Sequence, residues 1–174
     1  MPFSLYAATI PSYRQILSAV AALLRKADSF AAEQGISSDD LVRQRLAEDM
    51  LPFGYQVKSA VAHSLGAIEG VRAGVFSPDR SPWPDTIADL GALVAEANAA
   101  LEAIEPAEID GFVGRPMRFT MGEMRMDFVA EEFLLSFSQP NFYFHATTAY
   151  DILRANGVPL GKRDFLGRPR TIAS

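Results

Sequence analysis

Apolar residues recur along most of this chain at spacings of three, four and seven, the period of an amphipathic helix, and only one stretch alternates with a period of two. From about Ser4 to Gln34, Ile10, Leu17, Val20, Leu24 and Ala31 share one face, Tyr13 fills the remaining inward slot, and Gly35 is the stop. Pro11 falls inside the pattern and predicts a kink or a separate first segment. A second helix is predicted from a cap at Ser37 or Ser38, with Asp39 and Asp40 in its first turn. Its face runs through Leu46, Met50, Phe53, Val57, Ala60, Ser64, Ile68 and Val71 to Gly74, with a kink at Pro52. Residues 75–85 hold Pro78, Pro82 and Pro84 around Trp83 and read as a connecting loop. Thr86, with Asp89 three residues on, opens a third helix carrying Leu90, Leu93, Val94, Ala97, Leu101 and Ile104 and ending near Pro106.

Between Phe112 and Phe128, Met117, Phe119 and Met121 and then Met124, Met126 and Phe128 alternate with polar neighbours around Gly122, which predicts a β-hairpin. A fourth helix spans about Ala130 to Asn156, kinked at Pro140 and ended by Asn156-Gly157. Gly, Pro and basic residues dominate the tail. Four amphipathic helices with short connections predict a mainly α fold, a four-helix bundle with the hairpin between its third and fourth helices. At 174 residues the chain reads as one domain, 1–174.

Charge and composition narrow the function. Sixteen basic against twenty-one acidic side chains give a net charge of -5, which repels a phosphate backbone, so nucleic acid is not an expected partner. The absence of cysteine rules out disulfides, thiolate metal sites and a cysteine nucleophile, and fits a reducing compartment. No secretory pattern opens the chain, and Arg25, Lys26 and Asp28 interrupt its most apolar helix. A soluble, cytoplasmic protein without a membrane partner is expected.

Asp49, Gln56 and His63 stand seven residues apart and form one longitudinal stripe on the predicted second helix. On the fourth, Asn141, His145, Thr148 and Ile152 fall on one side with Ala149 beside them, which aims His145 into the bundle. Facing each other, the two helices would enclose a polar pocket around Asp49, Gln56, Asn141 and His145, the candidate ligand-binding residues. Imidazole and carboxylate suit zinc, iron or nickel, and bundle interiors are where such sites form. The spacing does not favour a metal: positions three and four after His145 are Thr148 and Ala149, and those after Asp49 are Pro52 and Phe53. His145 and His63 are therefore weak metal candidates, no cofactor is expected, and His145 hydrogen-bonded to a backbone carbonyl, Asp49 or Gln56 accounts for the cluster without a ligand. His63, far along its helix, reads as a surface residue. Nucleophile motifs and glycine-rich phosphate loops are absent. Arg154, Lys162, Arg163, Arg168 and Arg170 against Asp164 make the tail basic, a solvated end or a place for an anion. Phe142, Tyr143 and Phe144 cover a helix almost all round and suggest burial on two sides, hence a homodimer contact, or packing against the hairpin.

The stretches Arg45-Leu46-Ala47-Glu48-Asp49-Met50, Gln56-Val57, Pro140-Asn141-Phe142-Tyr143-Phe144-His145, Ala149-Tyr150-Asp151-Ile152-Leu153-Arg154, Gly157-Val158 and Gly161-Lys162-Arg163-Asp164-Phe165 resemble the DUF1993-like family, a domain of unknown function within the DinB/YfiT-like helical-bundle superfamily. The resemblance covers nearly the whole chain. It implies an up-down-down-up four-helix bundle, usually dimeric. It also implies a relationship to proteins that bind a divalent metal through three histidines, one on the second helix and two on the fourth, some of them thiol-dependent transferases or hydrolases. His145 corresponds to one such histidine and His63 to another; the third is missing. Three functions are thus open: a small-ligand pocket, in which a catalytic His145 would be acid or base with Asp49 orienting it; a non-enzymatic dimeric binding or stress-associated protein; and a DinB-like metal-dependent hydrolase or thiol transferase with a degenerate metal site.

Overall fold

The first predicted helix is continuous. In the computed structural model, which describes residues 4–172, α1 (Leu5–Gln34) runs through Pro11 without a break, from Ser4, whose hydroxyl accepts from Ala7 N–H, to Gly35 in the left-handed conformation at φ 66°. Its predicted face is the buried one: Ile10, Tyr13, Leu17, Val20, Leu24 and Ala31 all lie in the core.

The second helix departs from its prediction. Only α2 (Asp39–Val42) is helical before Pro52, and residues 43–52 are irregular and largely exposed, Leu46 and Asp49 among them. Pro52 has no N–H to donate and biases the preceding residue toward extended backbone, so it opens a helix here instead of kinking one. It stands at the N-cap with ψ 173°, and Phe53 N–H returns to Gln44 O at 2.8 Å. Beyond it, α3 (Phe53–Val61), a π-helical turn (Ala62–Gly66) and α4 (Ala67–Ala73) form one rod closed by Gly74 at φ 74°. Phe53, Val57, Ala60, Ser64, Ile68 and Val71 are buried along it as predicted.

The start of the predicted loop is a strand. β1 (Val75–Phe76) pairs parallel to β2 (Pro116–Met121), and β2 pairs antiparallel to β3 (Met124–Val129) across a two-residue turn led by Gly122 at φ 59°. Met117 and Phe119 face the core from β2. Two residues are too short to show a period of two, which is why β1 left no trace in the pattern.

Thr86 caps α5 (Ile87–Glu102), accepting from Asp89 N–H at 3.0 Å, and a short α6 (Pro106–Asp110) follows. The fourth bundle helix comprises α7 (Ala130–Glu132), a π-helical turn (Phe133–Ser138) and α8 (Gln139–Ala155). The predicted kink at Pro140 is thus met by a π-helical turn just before it. After Gly157 the chain forms α9 (Lys162–Leu166), which packs on α1, where Lys26 pairs with Asp164 at 2.8 Å, while Arg154, Lys162, Arg163, Arg168 and Arg170 stay exposed as their composition suggested. Four long rods enclose one contiguous apolar core, with the sheet laid beside the π-helical turns of α3–α4 and α7–α8. Among the described residues no helix is long and apolar enough to cross a membrane.

Candidate functional site

His63 sits in a π-helical turn and His145 in α8, and the two rings meet. His63 belongs to Ala62–Gly66, and its ring stacks on that of His145 with centroids 5.7 Å apart and planes inclined by 17°. A π-helical turn inserts an extra residue into the helical repeat and re-aims its side chains. His63 is accordingly buried, 9% exposed, and not at the surface where its place in the sequence suggested.

The hydrogen bonds fix the tautomer of His145. Gln56, almost fully buried, donates from Nε2 to Leu51 O at 2.8 Å, which turns its Oε1 toward His145 Nδ1 at 2.7 Å. An amide oxygen only accepts, so His145 Nδ1 carries the proton. Ser138 Oγ lies 3.1 Å from His63 O and 3.2 Å from His63 Nδ1; with its hydroxyl proton on the carbonyl it accepts from Nδ1, and the neutral ring then carries its proton there. Each ring therefore keeps a lone pair on Nε2, for which no hydrogen-bond partner stands among the described residues. Burial, reinforced for His63 by the ring of His145, lowers both imidazoles from 6.5 to about 4, so both are neutral at pH 7.

The two rings line a cavity of about 300 Å³ between α3, α8 and the sheet, walled by Tyr55, Phe76, Phe119, Met126 and Phe137. Tyr55 meets His145 edge-on at 5.8 Å and Trp83 at 5.9 Å, so the proline-rich segment backs the site through one aromatic relay. At the rim Lys58 straps that segment down: its ammonium donates to Ser81 O at 2.6 Å and pairs with Asp79 at 2.8 Å. The carboxyl of Asp79 is held well below the usual range by Lys58 and Ser81.

Of the four residues predicted to share a pocket, Asn141 and His145 line the cavity and Gln56 holds His145 from behind. Asp49 does not join them, because the helix that would have carried it begins only at Phe53. Thr148 turns back to Phe144 O on its own helix. Ser138, Tyr55 and Lys58 escaped the sequence reading; the one sign of Ser138 was its position just ahead of Gln139-Pro140, where the helical repeat has to be disturbed.

The donor set decides whether the three-histidine metal site of DinB-like proteins fits here. His63 and His145 stand together and present two neutral imidazoles. One helical turn before His145, however, stands Asn141, whose amide nitrogen donates to Phe137 O at 2.7 Å. Among the described residues no three His, Cys, Asp or Glu come together, and two imidazoles with a neutral carboxamide fall short of the three-histidine set.

The model of the domain of unknown function DUF1993 matches residues 5–166. The chain belongs to the DUF1993 family. Its fold is similar to the crystal structure of a DinB family member from Shewanella denitrificans, with a TM-score of 0.81 and 28% identity over 98% of this chain and 96% of that one. None of the curated proteins matches it. The fold of this DUF1993 member is DinB-like and mainly helical, and its candidate site holds two imidazoles in a partly apolar cavity.

Proposed function

We propose that this chain binds a compact, largely apolar molecule in the cavity of about 300 Å³, and that the molecule donates a hydrogen bond to His63 or His145. One observation carries the reading: Gln56 and Ser138 tie back both Nδ1 atoms, which leaves two neutral rings lining the cavity with Nε2 as acceptor. Neither Nε2 meets a donor among the described residues, so a ligand's O–H or N–H can bond there while its body packs on Phe119, Phe137 and Met126. Where the ligand reacts, His145 takes the proton at Nε2 and Gln56 orients the ring, the part the sequence had offered to Asp49. Net charge and the lack of cysteine favour a cytoplasmic setting.

Phenol, a small apolar body with one donor, is a direct probe. Titrated into the protein, it should shift the ring resonances of His63 and His145 together and saturably. Saturation of phenol elsewhere, with both rings unmoved, would overturn the proposal.

The metal-dependent hydrolase or transferase reading has two of its three ligands in His63 and His145. Purified protein should then hold no stoichiometric zinc, nickel or iron by elemental analysis. One tightly held ion per chain that is lost in His145→Ala would favour that reading instead.

A further inference from the structure

The chain turns back after α9 and lays its last described residues along the first half of α1. Gly167 makes the turn at φ 62°, where an added Cβ would stand 3.3 Å from Ala19 Cβ and 3.4 Å from Gln15 O. Arg170 then anchors the segment, donating to Pro11 O at 2.7 Å and Gln15 Oε1 at 2.9 Å. A separate cavity of about 280 Å³ results, lined by Arg14, Arg168 and Arg170 together with Tyr6, Gln15 and Ser18. It shares no lining residue with the histidine cavity.

The charges in it are uneven. Arg14 is matched by Glu102 at 2.6 Å, while its Nε is buried without a partner. Arg170 is satisfied only by neutral oxygens, and Arg168 makes no hydrogen bond or ion pair among the described residues. Two guanidinium charges thus remain unmatched in one concave site, on a chain whose net charge is -5. Guanidinium forks suit oxyanions with two charges and several acceptor oxygens. A cavity of this size approaches the ~300–1,000 Å³ of small-molecule sites, so there is room beyond a bare tetrahedral ion.

We propose that this cleft binds a phosphate dianion, free or as the phosphate group of a small metabolite, with Arg168 and Arg170 as its charge partners and Arg14 Nε and the Ser18 hydroxyl as further donors. Calorimetric titration with inorganic phosphate at constant ionic strength tests it. The wild-type chain should show saturable binding, weakened by about tenfold or more in Arg168→Gln, the loss of a charged hydrogen bond. Lys162→Gln removes the same charge from the same tail outside the cavity and should leave binding unchanged. Neither side chain makes a contact that the fold needs, and circular dichroism of both variants verifies that. Absence of saturable phosphate binding, or equal weakening in the two variants, would overturn the proposal.

Discussion

Gln56 is the residue on which the site turns. It bridges Leu51 O and His145 with one amide, so its loss strands a backbone carbonyl and an imidazole N–H together. Gln56→Ala should destabilise the fold by about 1–3 kcal/mol. His145→Ala should cost less than its full amount in that background, because the partner is already gone. Asp49→Ala, on an exposed loop, should be additive with His145→Ala. Urea unfolding of the single and double variants checks both cycles, and coupling between Asp49 and His145 would contradict the geometry described. The same two rings set a pH dependence. Their folded-state values of about 4 lie below the ordinary 6.5, so between those limits the unfolded chain binds more protons than the folded one. The stabilisation is complete above pH 6.5 and is lost as the pH falls toward 4. Unfolding midpoints should therefore drop between about pH 7 and about pH 5, and the drop should shrink in His63→Gln.

At the scale of the element, the proline-rich segment 77–85 is held to α3 by two contacts that the sequence did not advertise. Lys58 grips its backbone, and Trp83 seats over Gly54, where an added Cβ would come within 2.6 Å of Trp83 Cδ1 and 2.7 Å of Val42 Cγ1. Gly54→Ala must displace both and should cost about 1–3 kcal/mol. The chain has a single tryptophan, so a change in its emission reads the displacement of Trp83 directly, and unchanged emission would contradict this packing. The long rods were readable in advance because a period carried over many turns is hard to imitate, and the buried faces of α1 and α5 and the turn at Gly122 lie where the pattern put them. The pattern failed where a local backbone rule overrode it. Leu46 and Met50 keep the apolar period across Pro52, yet the missing N–H stops the helix. The π-helical turns were invisible for a related reason: they change which side chains face inward without changing composition, and the pairing of His63 with His145 depends on them.

Across the whole molecule, exposed apolar side chains are scattered over loops, hairpin and helices, and α8 carries the two aromatic ones, Tyr143 and Phe144. Phe142 is buried against Tyr13, with ring centroids 4.9 Å apart, but Phe144, two residues further on, is 57% exposed and Tyr143 36%. The hairpin does not cover them. A two-fold dimer that pairs α8 with its own copy would cover both, and light scattering at micromolar concentration should give twice the monomer mass of 19.0 kDa. Phe144→Glu should then return the mass to that of one chain, whereas a wild-type monomer would leave Phe144 as surface in its own right.

The proposed function requires two neutral imidazoles, each protonated on Nδ1, with free Nε2 lone pairs in one cavity. Long-range proton–nitrogen correlation of the histidine rings, followed through a pH titration, tests this most directly. Both rings should show a protonated Nδ1 and an unprotonated Nε2 at neutral pH and should titrate near 4. A proton on Nε2 of either ring, or titration near the ordinary 6.5, would contradict it.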